Sequence, residues 1–347
     1  MDSFQKAAKI VLETIRKHSS FFLSLGVVIA LMIYRFQNYI IQQDNYIGYA
    51  ASLGNGLKDL SFSDSRLYPG LPILIYIVSY ITEGYYSAAY LIIIMSFIGT
   101  YTLLYKITKS NLSVLPLIFP PVMLDMVTLI ANEFVTIFFI ILVIYLIFNK
   151  KNAYAAFVAG LTYWFRAAGS LIFIAYLVSS YLYQKKKVKL RNLFYFSIPL
   201  VFFMIYDWYF FGTLSPFYQL IIYKLVSPYG NAVGFIQMVK DVVRTFDWGQ
   251  YRILTSGILY IFFYVYFLLR ALSVTKNSPN FNNLFLTLSI IFMSIFIFSY
   301  SFVPYLENFA RYLAPIIPLF WITSYKSFNK KIYVYTALIL SILVVVR

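Results

Sequence analysis

Long apolar runs separated by short basic clusters constrain this chain more than any other feature. Runs of about 20 apolar residues match the thickness of the hydrocarbon core of a bilayer. Hydrophobic residues make up 61% of the chain and charged residues 12%, whereas a soluble domain carries about 25% charged residues. The pattern predicts an all-α polytopic membrane protein with about eleven transmembrane helices, within a range of about nine to twelve, forming one domain over residues 1–347.

The basic residues give the predicted topology. The net charge of +16 does not indicate nucleic acid as a partner, because Lys and Arg lie in short clusters between apolar runs, as the positive-inside rule describes. Lys6, Lys9, Arg16 and Lys17 precede the first apolar run, and no small-residue cleavage site follows it. We therefore expect an uncleaved first span, a cytoplasmic N-terminus and a multi-pass location in the cell membrane, among membrane lipids.

Two long segments are predicted to lie on the non-cytoplasmic side. Residues 42–86 form a first outer loop with short interfacial helices, and residues 212–251 form a long outer loop. Within the first loop, the apolar residues 71–82 are too few for an ordinary span. They form either an interfacial or half-inserted helix on the outer side, which is the preferred alternative, or a thin full span that places Lys106 and Lys109 outside.

Two membrane segments are predicted to be irregular. The second outward span carries Pro116, Pro120 and Pro121, so we expect it to be kinked or broken. Residues 153–183 lie between two basic clusters that are both predicted to be cytoplasmic. The segment must therefore cross the membrane an even number of times. A hairpin with its tip at Arg166 satisfies that requirement.

The acidic residues are concentrated on the predicted outer side. Of the twelve acids, all but Asp2 and Glu13 fall outside or at the outer membrane boundary, which the positive-inside rule does not require. The chain has no cysteine and a single histidine, His18. These counts exclude a disulfide framework, a histidine-based metal site and a Ser-His-Asp triad, so acid–base chemistry must come from Asp, Glu, Tyr or Lys.

Asp44, Asn132 and Glu133 are the candidates for that chemistry. Asp44 follows the first span, where ionisation of a carboxylate is costly, and this suits a general base acting on a hydroxyl. The alternative for Asp44 is a solvated acid that ends a helix. Asn132 and Glu133 precede an inward span, where Glu133 could hold a hydroxyl, orient a cation or assist the base, or could simply cap the helix.

Three arginines are candidates for anion binding. Arg166, at the hairpin tip, needs a partner, which is either a phosphate or a carboxylate from a neighbouring helix. Arg311 opens a span, where a phosphate would also meet a helix N-terminus, and Arg66 stands at the mouth of the short apolar helix. Interfacial anchoring and helix entry are the alternatives for these two. Gly169 permits close approach of a headgroup or a helix, and Arg35 can extend outward from the first span.

Five short stretches, in a consistent order along the chain, carry a resemblance to a known superfamily. They are Asp44 with Tyr46 and Tyr49-Ala50, Leu67-Tyr68-Pro69-Gly70-Leu71-Pro72, Asn132-Glu133, Phe165-Arg166-Ala167-Ala168-Gly169, and Ala310-Arg311-Tyr312-Leu313-Ala314-Pro315 with Pro318. In that order they resemble the first-loop aspartate, the loop-to-helix entry, the Asn/Ser-Glu pair, the hairpin tip and the Arg-Tyr span start of the GT-C superfamily. These are polyprenyl-phosphate-dependent glycosyltransferases, and the PIG-V-type mannosyltransferases are the most similar.

The resemblance implies a GT-C-like fold and an inverting glycosyltransferase. The implied donor is a polyprenyl or dolichyl phosphate sugar, with a hexose such as mannose, and the acceptor is a lipid, a glycan or a protein. The implied residues are Asp44 and Glu133 for catalysis, Arg166, Arg311 and Arg66 for the donor phosphate, and Asn132, Asp207, Tyr46 and Tyr68 for support. No ligand spacing requires a metal, although the outer acids suit Mg²⁺ or Mn²⁺, and nothing in the sequence indicates an oligomeric state.

Other classes of membrane protein share parts of this pattern. A flippase or transporter of lipid-linked sugars would use the same arginines, but such proteins often show related halves and polar residues near the bilayer midplane. A polysaccharide ligase or polymerase of another membrane fold would have a long outer loop like residues 212–251, but the early Asp44 argues against it. A structural scaffold is the remaining alternative.

Overall fold

The computed structural model describes residues 13–40, 44–60, 67–119, 121–185, 189–212, 214, 251–300, 311 and 313–325. All the regular elements in these ranges are helices, so the predicted all-α class is confirmed for this part of the chain. In chain order they are α1 (Ser19–Gln37), α2 (Tyr46–Leu53), α3 (Gly70–Thr82), α4 (Tyr85–Thr108), a 3-10 turn (Asn111–Val114), α5 (Leu115–Ile118), α6 (Pro121–Thr128), α7 (Asn132–Phe148), α8 (Asn152–Thr162), α9 (Ala167–Gln184), α10 (Leu190–Phe211), α11 (Tyr251–Asn277), α12 (Phe281–Tyr300), a second 3-10 turn (Ala314–Ile316) and α13 (Ile317–Ser324).

Helix length and hydropathy indicate a membrane protein. Four of the described helices, α1, α4, α9 and α10, are long and apolar enough to cross a bilayer, and α5 with α6 would add a fifth as one broken span. Other apolar helices, among them α3 and α7, are shorter. Residues 326–347 and almost all of the outer loop predicted at residues 212–251 lie outside the described residues. The full set of about eleven crossings therefore stays a prediction.

Helices α1 and α4 run in opposite directions, as the predicted topology requires. His18, just before α1, shares a 2.6 Å hydrogen bond with the hydroxyl of Tyr101 near the end of α4. Phe36, near the end of α1, contacts the rings of Tyr86 and Tyr90 near the start of α4. The two helices therefore pair along most of their lengths.

Helix α7 lies beside only the second half of α4. The rings of Phe97, in the middle of α4, and Phe134, at the start of α7, are 5.9 Å apart. Near the other ends, the ammonium of Lys106 lies 5.7 Å from the ring centre of Tyr145. Helix α7 thus begins about 18 Å along α4 from its first residue. The end that both helices reach is called the lysine end, after Lys106, Lys109, Lys150 and Lys151.

A helical hairpin with Arg166 at its tip is present as predicted, but its first arm, α8, has 11 residues and is too short to cross a bilayer alone. Helix α8 leaves the lysine end and stops at Thr162, and α9 turns back from Ala167. Close packing holds the hairpin against α7, because a Cβ on Gly169 would lie 3.0 Å from the Cβ of Thr162 and 3.5 Å from Thr136 Cγ2. Gly169 therefore permits the close approach of neighbouring helices, one of the two alternatives predicted for this residue. The starts of α7 and α9 and the end of α8 share one height, called the site level.

The segment predicted to form the first outer loop contains two short helices, α2 and α3, as expected. Helix α3 begins at the hairpin tip, where Gly70 N–H donates to the Trp164 carbonyl at 2.8 Å. It then follows the half of α4 that α7 leaves uncovered, and a turn at Glu83 joins it to α4. Its 13 residues span about 20 Å, less than the ~30 Å hydrocarbon core. Length and placement favour the half-inserted helix over the thin full span.

The proline-rich segment is broken, as predicted. The helical segments on either side of the break meet at 88°. Asp125 on the second segment forms an ion pair with Arg35 of α1. The charge of Arg35, expected to extend outward into water, is instead neutralised by a neighbouring helix.

Gly70→Ala is expected to destabilise the protein by about 1–3 kcal/mol, the usual cost of inserting a methyl group into a packed site. The new Cβ would lie 2.6 Å from the Trp164 carbonyl oxygen, so the hairpin tip would have to move. Gly26→Ala is the matched control, because no atom lies within 4 Å of its added Cβ. Thermal melting in detergent compares the two, and equal melting temperatures would contradict the packing described above.

Candidate functional site

Asp44 and Tyr46 stand at the start of α2. Asn45 caps this helix, because its side chain accepts a 3.1 Å hydrogen bond from Gly48 N–H, and this cap fixes the position of Asp44 just before the helix. Tyr46 is 4% exposed. Burial raises the pKa of Tyr46 well above its usual value, and the nearby carboxylates Asp44 and Glu133 raise it further. The Tyr46 hydroxyl therefore stays protonated beside these carboxylates.

Glu133 lies in the first turn of α7, where a helix N-terminus favours negative charge. It is 2% exposed, and a carboxylate buried so completely needs cationic partners. Its Oε1 accepts a 2.8 Å hydrogen bond from Arg166 Nη1 and a 2.5 Å bond from Arg311 Nε. One carboxylate oxygen thus holds two guanidinium groups.

Arg311 joins the two candidate carboxylates. Its Nε donates to Glu133, and its Nη2 donates to Asp44 Oδ2 at 2.8 Å. The result is a continuous chain of ion pairs, Asp44–Arg311–Glu133–Arg166, which is called the charged cluster. Two acids and two arginines balance, so the cluster carries no formal net charge, and its members come from four separate parts of the sequence.

The supporting candidates lie around the hairpin tip. Asn132 is 2% exposed, and its amide nitrogen donates to the Phe165 carbonyl, which ties the start of α7 to the tip. Tyr68 packs edge-on against the Tyr163 ring at 6.1 Å. The remaining phosphate candidate, Arg66, lies outside the described residues.

Helix α10 closes one side of the site, mainly through residues that the sequence did not single out. The Trp164 indole N–H donates to the Pro199 carbonyl at 2.9 Å. Two turns further along, the Tyr206 hydroxyl lies 2.7 Å from that of Tyr49 in α2. Asp207, a supporting candidate, follows directly and is fully buried. Spacings of three and four residues place Pro199, Phe203 and Tyr206 on one face of α10, a signal that was present in the sequence.

The geometry separates the roles of the two acids. Glu133 is enclosed, and two guanidinium donors stabilise its ionised form, which makes it a weak base. Asp44 retains 18% side-chain exposure, so a ligand can reach it more easily. For Arg166, the structure provides the carboxylate partner, one of the two predicted alternatives. Glu133 therefore organises the arginines, and Asp44 is the better candidate for proton transfer.

A site for Mg²⁺ or Mn²⁺ needs several oxygen ligands that converge on one point. Among the described residues, no group of three or more His, Asp or Glu side chains is placed to hold an ion. A requirement for Mg²⁺ or Mn²⁺ stays a prediction.

Comparison of the chain with protein-family models, with curated proteins and with solved structures returned no match. The case for a function therefore rests on the charged cluster and on the sequence motifs that supply its members.

Proposed function

We propose that this protein is an inverting glycosyltransferase. It moves a sugar, a hexose such as mannose, from a polyprenyl or dolichyl phosphate to a hydroxyl of a lipid, glycan or protein acceptor. The observation that carries the proposal is the 2.8 Å contact between Arg311 and Asp44. It places a partly accessible carboxylate beside a guanidinium, and these are the two groups that a displacement on a sugar phosphate requires.

In the proposed reaction, Asp44 accepts the proton of the acceptor hydroxyl. The hydroxyl oxygen forms a bond to the anomeric carbon as the bond from that carbon to the phosphate oxygen breaks, with inversion. The lipid phosphate leaves with the bonding electron pair, and its added negative charge is stabilised by Arg311 and Arg166. Such preorganised donors commonly make the largest single contribution to catalysis.

Glu133 positions the arginines in this proposal. Its single oxygen Oε1 fixes both guanidinium groups at 2.8 Å or less, so little reorganisation is needed when the phosphate arrives. Guanidinium groups bind phosphate in a planar, forked geometry and stay charged at any physiological pH. Pairing with an enclosed carboxylate keeps them oriented in a medium where an unpaired charge is costly.

The position of the charged cluster suits a lipid-linked donor. The site level lies about 18 Å from the start of α4 and α7 continues for about 25 Å from it to the lysine end, which the positive-inside rule assigns to the cytoplasm. The site level is thus about halfway along the 24-residue helix α4, deeper than the outer membrane boundary that the sequence predicts for these residues. Helix α7 leaves the other half of α4 uncovered, and we propose that the active site opens through that half to the outside or the lumen. The donor headgroup would enter from that side, with its isoprenoid chain among the helices.

Incubation of the purified protein with a panel of polyprenyl-phosphate sugars and acceptors tests the proposal. The expected result is release of free polyprenyl phosphate with one of the donors. The same donors in sealed vesicles provide the second arm, because movement across the bilayer without release would identify a flippase instead. Products extended by many sugars would indicate a polymerase, and neither release nor movement would overturn the proposal.

A further inference from the structure

Two buried oxygens at the start of α7 lack a hydrogen-bond donor among the described residues. They are Oδ1 of Asn132 and Oε2 of Glu133, on side chains that are each 2% exposed. The other polar atom of each side chain is already engaged, Asn132 Nδ2 with the Phe165 carbonyl and Glu133 Oε1 with two arginines. An acceptor buried without a donor costs about 1–3 kcal/mol, so each oxygen calls for a donor that the described residues do not supply.

The chemistry of these atoms determines which ligand group fits. A carboxylate oxygen and an amide oxygen are acceptors only, so they repel a phosphate, which also presents acceptors. A metal ion is disfavoured at Glu133, because two guanidinium groups already neutralise its charge. A neutral hydroxyl group donates one hydrogen bond, so a hydroxyl is a suitable partner for either oxygen. Consecutive residues on a helix point about 100° apart, so the two oxygens would take two different hydroxyls.

We propose that Asn132 Oδ1 and Glu133 Oε2 form a sugar subsite that accepts hydrogen bonds from two hydroxyls of the transferred sugar. This inference rests on the proposed function and deepens it, because it separates the donor into two binding regions. The phosphate contacts the arginines, and the sugar ring lies at the first turn of α7. Asn132 and Glu133 are then the residues that discriminate among sugars, since a buried acceptor rejects a sugar that lacks the matching hydroxyl.

The test uses the wild-type protein and a series of polyprenyl-phosphate sugars, each lacking one hydroxyl. Binding and release of lipid phosphate are both measured, with sugar-free polyprenyl phosphate as reference. Loss of the hydroxyl bound by the ionised Glu133 is expected to weaken binding about 10- to 100-fold. Loss of the hydroxyl bound by the neutral Asn132 is expected to weaken it about two- to tenfold. Equal binding of all the deoxy sugars would overturn the subsite.

A matched pair of variants tests whether Asn132 binds the hydroxyl whose loss has the smaller effect on binding. Asn132→Ala should abolish discrimination against the deoxy sugar with the smaller effect and leave the larger effect intact. Asn192→Ala is the control, because Asn192 is also buried with an unpartnered amide oxygen but lies near the start of α10, beside the basic residues. Discrimination that changes equally in both variants, or in neither, would overturn the assignment.

The two measurements separate the subsite from the transfer reaction. Discrimination in binding without any release would leave the subsite standing and overturn the transferase. Release without discrimination would leave the transferase standing and overturn the subsite. Absence of both binding and release would overturn both.

Discussion

Replacing Asp44 with Asn is expected to slow the release of polyprenyl phosphate by about 10²- to 10⁴-fold, the usual contribution of a general base. Asn has the same shape and can still accept a hydrogen bond from Arg311 Nη2, which Asp44 Oδ2 accepts at 2.8 Å in the native protein. It cannot take a proton from the acceptor hydroxyl. The rate of transfer should therefore fall while the folded protein is retained, as judged by size-exclusion elution and melting temperature.

Asp59→Asn is the matched control for this variant. Asp59 is an exposed acid in the same segment of the chain, where its carboxylate accepts a hydrogen bond from Asn55. Surface changes of this kind shift free energies by about 0.5 kcal/mol or less, so its rate of release should stay within about twofold of wild type. Similar rates in the two variants would remove Asp44 from the reaction.

Glu133→Gln is expected to have the largest effect on stability, a loss of about 3–5 kcal/mol. The carboxylate of Glu133 is 2% exposed and is the shared partner of Arg166 and Arg311. Removing its charge leaves two guanidinium groups in a poorly solvated place, with one carboxylate, Asp44, remaining in the cluster. Such uncompensated charge is far more costly than the loss of a surface pair.

Glu83→Gln makes the same chemical change at an exposed position and provides the comparison. Thermal melting of both variants in the same detergent should show a large decrease for Glu133→Gln and little change for Glu83→Gln. If the two melted at the same temperature, Glu133 would not organise the charged cluster, and the roles assigned to Arg166 and Arg311 would lose their support.

The membership of the charged cluster was predictable because charge is scarce in an apolar chain. Arg166 lies within an apolar stretch, and an arginine there needs a partner. Asp44, Glu133 and Arg311 stand at predicted span ends facing the same side, so their convergence followed from the alternation of spans. The pairing itself was not predictable, because the sequence does not tell which carboxylate each guanidinium meets. The enclosure of Glu133 and the accessibility of Asp44 emerge only from the packed helices.

The helix boundaries were likewise predictable only in part from the sequence. Hydropathy marks the edge of an apolar segment well. The helix predicted to start at Phe134 begins only two residues earlier, at Asn132. Hydropathy could not show that α8 has only 11 residues and stops at the site level, because the tip residues Tyr163, Trp164 and Phe165 are as apolar as a membrane helix. The ion pair between Arg35 and Asp125 was not predictable either, because no neighbouring residue in the sequence indicates Asp125 as the partner. Arg35 was therefore expected to extend outward into water.

The anomeric configuration of the product tests the central claim most directly. The purified protein is incubated with an acceptor and a polyprenyl-phosphate sugar carrying ¹³C at the anomeric carbon, and the product is examined by NMR. Direct displacement with Asp44 as base predicts a glycoside of configuration opposite to that of the donor. A product that retains the configuration of the donor, or a label that stays on the lipid phosphate with every donor, would contradict the account.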